Sequence, residues 1–451
     1  MCSLRRAAFV GGLCILFGGT VAISQEVVRL DQLIEELKTQ NPDLQSLRHR
    51  LVASEARIPQ AGALPDPTLM FRPRGITTDH SPIEFDEADQ FRIVAKQGFP
   101  FPGKRKLRAG VAAKASEMVN YRIFSLEDRL IQRLTSLYWQ LYLVRKTEEL
   151  LLQHQEILEE MVQSAQTRYA AGHGTQSDVL KAVVRRSEIE LQLEIIVGDE
   201  ATLLAKMNAL LERPPGTPIL ALETPTLISL SQSLDALMEM ARRSNPQLLE
   251  AKTQIDQSEF ALRLARRERY PDMVAGIEFW DVREGLGNQD RWAASMMFNI
   301  PLWYRNKQAQ GIREASEQKL AAEREIEAID NALSSLVEEM LSSLRSAESE
   351  ARFYREQIVP QTTLAFEASK MAYVTGQLDF LSFLTDEQAL LDAELRYYAG
   401  LVAFRKAFAV MEEVTATRLA DQSTSARTLS EGTDWSSRQF FKKLSTERSI
   451  P

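Results

Sequence analysis

Gln90-Phe91-Arg92-Ile93-Val94-Ala95-Lys96-Gln97-Gly98-Phe99-Pro100-Phe101-Pro102-Gly103-Lys104-Arg105 changes its periodicity midway. Phe91, Ile93, Ala95 and Phe99 fall on one parity; Gln90, Arg92, Val94, Lys96 and Gly98 fall on the other. That alternation is the pattern of a strand with one apolar and one mostly polar face. Pro100, Pro102 and Gly103 end it, because proline cannot donate to a ladder and glycine permits a turn. From Lys104 the pattern is helical for roughly 65 residues, against about a dozen in an average helix.

Working outward, the chain repeats itself. Leu30-Asp31-Gln32-Leu33 returns as Leu234-Asp235-Ala236-Leu237, Asn41-Pro42 as Asn245-Pro246, Pro67 as Pro271, and Tyr169-Ala-Ala-Gly172 as Tyr373-Val-Thr-Gly376. Each pair is 204 residues apart, a constant offset that indicates tandem duplication. The first unit reads as a helix over Asp31–Ala63, a strand from Pro67, an acidic loop with Asp79, Glu84, Asp86, Glu87 and Asp89, and the strand Phe91–Phe99. A long helix then runs over Lys104–Ala171 and, after Gly172 and Gly174, another over Ser177–Leu211. The second unit reads as one helix over Leu234–Arg269, strands over Met273–Phe279 and Trp292–Ile300, a loop with Gly285, Gly287 and Asn288, a long helix to Val374, and a last helix ending near Arg418.

Around this core the expected organisation is a signal peptide over 1–24, the first repeat over 25–212, a proline-bearing linker over 213–233, the second repeat over 234–419, and a polar tail over 420–451 read as disordered. Arg5 and Arg6 precede an apolar run too short for a membrane span, and Ala22-Ile23-Ser24 offers a cleavage site. Cleavage there removes Cys2 and Cys14 and so leaves neither disulfide nor thiolate chemistry. The net charge of −8 becomes −10 without the two arginines, which argues against nucleic acid as a partner.

Four alternating strands of about nine residues each have the length of tilted strands crossing a bilayer. Phe91, Phe99, Phe279 and Trp292 sit near strand ends, where interfacial aromatics belong. Four strands cannot close a barrel, and open edges in lipid cost several kcal/mol per unpaired backbone group. The chain must therefore oligomerise; two copies would fill the lumen, and three would leave an aqueous pore.

With Asn41-Pro42, Gln97-Gly-Phe-Pro-Phe-Pro-Gly-Lys-Arg105, Arg168-Tyr-Ala-Ala-Gly172 and their second-unit counterparts, the chain resembles TolC-family outer-membrane efflux proteins from about Leu30 to Leu419. The resemblance implies a mainly α fold with a small transmembrane β part: a homotrimer sharing a 12-stranded β-barrel in outer-membrane lipid, continued by a long α-helical barrel in the periplasm. It implies an exit duct of a tripartite efflux system, without catalysis or cofactor, partnered by a periplasmic adaptor and an inner-membrane pump of RND type. The Pro-Gly-Lys-Arg turn is more like the heavy-metal branch than the drug-efflux branch, which makes metal cations a candidate cargo.

The resemblance also assigns residues. Tyr169, Gly172, Thr175, Tyr373 and Gly376 would form periplasmic tips that meet the adaptor. Asp178 and Tyr373 match a pair that latches the closed tunnel. Leu378 stands where relatives carry a basic residue, and Ser382 and Thr385 occupy the positions of an acidic gate ring, leaving Asp379 and Asp386 as gate candidates. The histidines His49, His80, His154 and His173 lack metal-ligand spacing and read as surface residues, so no metal site is expected. The Lys104-Arg105-Lys106 cluster reads as a solvated helix start. A periplasmic adaptor or a secreted coiled-coil scaffold is the alternative, but neither accounts for two copies of helix–strand–strand–helix–helix.

Overall fold

The computed structural model describes residues 29–74, 90–228, 230, 232–283 and 288–419. The expected signal peptide, acidic loop, Gly285–Gly287 loop and polar tail lie outside the described residues.

The first unit comprises α1 (Leu30–Gln40), α2 (Pro42–Gly62), β1 (Thr68–Arg74), β2 (Gln90–Phe99), α3 (Lys104–Ala170) and α4 (Gln176–Leu210). The second comprises α5 (Leu234–Ser244), α6 (Pro246–Arg267), β3 (Met273–Arg283), β4 (Asn288–Phe298), α7 (Gln308–Phe353), a π-helical turn (Tyr354–Ile358), α8 (Val359–Val374) and α9 (Phe380–Thr415). The offset of 204 carries α1 onto α5, and α3 onto the continuous run from Gln308 to Val374. The π turn widens this second long helix immediately before Pro360, which has no N–H to give to the preceding turn.

Each unit's opening helix, expected as one piece, is split in two. Asn41 leaves helical geometry at ψ 123°, and Asn245 at ψ 119°. A following proline disfavours the helical region, and asparagine is a strong N-cap. Asn41 Oδ1 accepts from the amides of Asp43 and Leu44, while its Nδ2 donates to the Leu210 carbonyl at 3.1 Å. Asn245 does the same with Gln247 and Leu248, and donates to the Val414 carbonyl at 3.0 Å. Leu210 and Val414 are themselves 204 apart, so each buried asparagine starts one helix and ties down the end of another.

The strands form one antiparallel sheet in the order β1-β2-β3-β4. Its register sets out two faces. Phe71, Ile93, Phe279 and Trp292 form one row across all four strands, followed by Leu69, Ala95, Ile277 and Ala294. Met70, Val94, Glu278 and Ala293 lie between them on the opposite face. The β4 strand ends at Phe298, short of the expected Ile300. Among the described residues, sheet order leaves one edge of β1 and one of β4 without a partner strand.

At the sheet–helix junction, Gly103 takes φ +93°, and a Cβ there would stand 3.0 Å from the Arg267 guanidinium. Lys104, expected in solvent, is instead buried. Its Nζ meets the Tyr270 carbonyl at 2.9 Å, Asp272 Oδ1 at 2.8 Å and Glu268 Oε2 at 3.2 Å. Asp272 also accepts from the Phe101 amide at 2.7 Å. A charge this deep needs such partners, and they fasten the first unit's strand-to-helix turn onto the second unit's helix-to-strand turn.

Four helices lie abreast at each level. Nearer the sheet α2 packs on α3, α3 on α6 and α6 on α7; farther away α4 packs on α3, α3 on α9 and α9 on α8. At 1.5 Å per residue the long helices extend about 100 Å. Among the described residues no helix is long and apolar enough to cross a membrane.

Asn245→Ala removes a cap and strands the Val414 carbonyl. It should cost about 1–2 kcal/mol, read as a lower thermal midpoint of the helical circular dichroism in detergent. Asn245→Asp keeps the capping oxygen and should lose less.

Candidate functional site

The end of the molecule farthest from the sheet holds two helix turns of like design. After α3, Gly172 takes φ +75°, and the His173 amide donates back to the Arg168 carbonyl at 2.8 Å. After α8, Gly376 takes φ +78°, and the Gln377 amide donates to the Ala372 carbonyl at 2.8 Å. A left-handed residue that closes the last helical carbonyls is the reason glycine stands at both breaks. Tyr169, Gly172, Thr175 and Gly376 are exposed there.

Tyr373, expected both on the docking surface and in the latch, is buried at 4% exposure. Its ring stacks on Phe383 at 5.2 Å and meets Phe380 edge-on at 5.6 Å. Arg168 covers the ring from 4.9 Å and donates to the Tyr373 carbonyl at 2.7 Å. Its other terminal nitrogen reaches the His173 carbonyl at 3.4 Å. One guanidinium thus spans both tips, placing a cation on the last carbonyls of α8, where the helix dipole favours it. The sequence reading quoted Arg168 only as part of a motif; the second unit has Ala372 in its place.

Asp178 is not hydrogen-bonded to Tyr373 within the protomer. It forms a capping box with Thr175: the Thr175 amide donates to Asp178 Oδ2 at 3.0 Å, and the Asp178 amide to Thr175 Oγ1 at 3.2 Å. Burial, together with the nearby Asp178 charge, holds the Tyr373 hydroxyl above its ordinary pKa despite Arg168. Asp379 caps α9, accepting from the Ser382 amide at 3.0 Å and its hydroxyl at 2.7 Å. Those bonds hold its carboxyl below the usual range. Asp386 accepts from the Ser369 hydroxyl of the adjoining helix. All three carboxylates are engaged in holding helix starts and helix pairs.

About sixteen residues back along α3 from the tip lies a polar cluster the sequence did not reveal. His154, expected on the surface, is 2% exposed. Its Nδ1 lies 2.7 Å from Glu387 Oε1 and its Nε2 3.2 Å from Glu394 Oε2. The fully buried Glu387 also takes Arg185 Nε at 3.4 Å, and Arg185 reaches Glu188 at 3.2 Å. Burial alone would lower the imidazole pKa, but the bonds and charges of Glu387 and Glu394 outweigh it and push it up to about 9. The protonated ring therefore ties α3 to α9, with Arg185 of α4 on the same carboxylate. No signal local to His154 could have shown this, because its partners are more than 230 residues away. His49 and His173 are exposed as expected, and His80 lies outside the described residues. Among the described residues no group of three or more His, Cys, Asp or Glu has metal-holding geometry.

Residues 33–208 match the family model described as Outer membrane efflux protein. Over 369 residues the chain is 21% identical to the cobalt-zinc-cadmium resistance protein CzcC of Cupriavidus metallidurans, covering 80% of this chain and 83% of that one. The outer-membrane channel OprN superposes with a TM-score of 0.73 at 16% identity, over 87% of this chain and 90% of that chain. VceC of Vibrio cholerae gives 0.72 at 16% identity, over 86% and 96%. CusC gives 0.74 at 12%, over 86% and 92%.

Arg168→Ala removes a charged hydrogen bond and a cation–π contact, together roughly 1–3 kcal/mol. Amide hydrogen exchange should quicken at both tips; quickening at 168–178 alone would disprove the bridge. For His154, a raised folded pKa means that the stabilisation is complete below the ordinary 6.5 and is lost as pH rises through about 9. The thermal midpoint of the native protein should therefore drop across that window more than that of His154→Gln; parallel curves would show an uncharged ring.

Proposed function

The chain belongs to the outer membrane efflux protein family, and we propose that three copies of it form the exit duct of a tripartite efflux system. The observation that carries this reading is a protomer left open along both sides. Among the described residues the sheet has bare edges at β1 and β4. Near the tips the helical layer ends at α4 on one side and α8 on the other. Both edge helices carry apolar residues in solvent: Leu180, Val184, Leu191 and Ile195 on α4, and Leu364, Met371 and Val374 on α8. The first set steps by four, seven and four residues, one face of a coiled-coil helix. Threefold closure would pair sheet edge with sheet edge and helix edge with helix edge, giving twelve strands and twelve helices at each level.

The sheet's apolar face would then meet outer-membrane lipid, with the strand ends at Arg74, Gln90, Arg283 and Asn288 outward and the helices in the periplasm. Exposed Trp303 and Tyr304 beyond β4 fit the inner interface. An efflux duct of this family works with a periplasmic adaptor and an inner-membrane pump. For this chain we assign the adaptor contact to the exposed Tyr169, Gly172, Thr175 and Gly376, and the pump to the RND type. Tyr373 with Arg168 serves as the tie that holds the two tips of one protomer together. Asp178 and Asp379 act in the gate by fixing the helix starts that converge there, and Asp386 by tying α9 to α8 through Ser369. The similarity to a metal-resistance protein makes heavy metals the first cargo to test.

Native mass measurement of detergent-extracted outer membranes should give three copies; a monomer stable in the membrane would sink the model. Ile277→Arg, on the apolar face, should impair assembly by about 2–4 kcal/mol near mid-membrane, whereas Ser295→Arg on the opposite face should assemble. Equal impairment would overturn the assignment of the faces.

A further inference from the structure

The apolar face of the sheet runs into a groove at its helix end. Phe99 faces Met273 on the next strand, and Met273 faces Phe298 on the one after. An even step along each strand separates them from Ile93, Phe279 and Trp292, so this row belongs to the apolar face. Where the row meets the end of α2 and the strand-to-helix turn, a groove of about 910 Å³ opens. Leu64, Phe99 and Phe298 line it and remain exposed. Arg105 and Lys106, from the first turn of α3, line it too.

Those two cations lack counter-charges. The carboxylates of the turn between α6 and β3 are taken: Lys104 pairs with Glu268 and Asp272, and Arg108 shares Glu268. Arg105 donates from Nε to the Gly62 carbonyl at 2.7 Å, and among the described residues no carboxylate pairs with it or with Lys106. Cations at the start of a helix oppose its dipole, and α3 has no acid in its first turn. Lys104 meets that cost within the protein; Arg105 and Lys106 do not. Starting a long helix after a strand does not require them either, since the second unit opens with Gln308-Ala309-Gln310 at the matching positions.

We propose that this groove holds one anionic glycerophospholipid per protomer, drawn from the periplasmic leaflet of the outer membrane. The inference rests on the trimeric duct described above, which sets this face against lipid and the helix end toward the periplasm. An acyl chain lies along the Phe99, Met273 and Phe298 row, and the phosphate meets Arg105 and Lys106. The Arg105 guanidinium keeps N–H groups beyond Nε for phosphate oxygens, and the Lys106 stem can lie along the groove with its ammonium at the headgroup. A zwitterionic headgroup is disfavoured, because its own ammonium would stand among these cations.

Native mass measurement tests this on the full-length trimer, delipidated in detergent and titrated with phosphatidylglycerol or with phosphatidylethanolamine of the same acyl chains. Phosphatidylglycerol should saturate at one per protomer, at a concentration about thirtyfold below that needed for phosphatidylethanolamine. Arg105→Gln with Lys106→Gln should abolish the preference. Lys106→Gln alone removes no hydrogen bond or ion pair among the described residues, and should cut the preference about fivefold even if the double variant does not assemble. Arg305→Gln with Lys307→Gln, exposed cations on the second unit's turn, should leave it unchanged. Excess inorganic phosphate should not displace the lipid, since it leaves the apolar row uncovered; displacement would overturn the lipid as occupant. Trimers that bind both lipids alike, or whose preference falls equally in the second-unit variant, would overturn the groove while leaving the duct. A chain that forms no trimer would overturn the duct, and the groove with it.

Discussion

An unpaired strand edge cannot be left in hydrocarbon. The outer edges of Thr68–Arg74 and Asn288–Phe298 carry N–H and C=O groups with no partner strand among the described residues. Each would cost several kcal/mol in lipid, where no water is available to satisfy it. Every larger feature answers to that requirement. The apolar face of the sheet needs a bilayer, the bilayer forbids edges, and four strands are too few to bend into closure alone. The helical layer follows the same plan, because each long helix continues from a strand and the layer ends in open sides, at α4 and α8 near the tips.

The duplication makes that plan economical. A single offset carries the caps, the long helices and the glycine breaks from one unit to the other, so the protomer already has an approximate twofold repetition within its share of the barrel. The asparagine caps show how local chemistry is reused for long-range order. Asn41 and Asn245 start α2 and α6, and each also satisfies a carbonyl at the far end of its own unit. The two units differ where they meet. Lys104 and Arg168 lie in the first unit and reach carbonyls and carboxylates of the second, at the top and the bottom of α3. Neither has a basic counterpart 204 residues on, where Gln308 and Ala372 stand. The asymmetric residues are therefore those that join the halves.

The buried charges favour rigidity within the protomer. His154, Arg185, Glu387 and Glu394 join α3, α4 and α9 in a group with two charges of each sign. Breaking one partner of such a group leaves an uncompensated buried charge, which is far costlier than losing a surface pair. Motion at the tips is therefore easier between protomers, or as whole hairpins, than by separating these helices individually.

The fold was legible in the sequence because its signals are periodic and local. Strand parity around Phe91, the helical pattern from Lys104, the glycines at both breaks and the constant offset of 204 each depend on neighbours in the chain or on plain repetition. Asn-Pro could also have marked the split of the opening helices, since capping and pre-proline geometry act within three residues. The relations decided by tertiary structure all join distant residues. His154 reads as an isolated polar residue until α9 brings Glu387 and Glu394 to it, and Lys104 as a solvated one until Asp272 folds over it. Asp178 carries the latch assignment only by position, and the structure spends its carboxylate on its own helix start. The rows of the sheet are likewise invisible along the chain, because Phe71, Ile93, Phe279 and Trp292 line up only when strand register is set. Turn geometry fixes register only within a hairpin, and β2 pairs with β3 across nearly two hundred residues, so that register is settled by tertiary pairing.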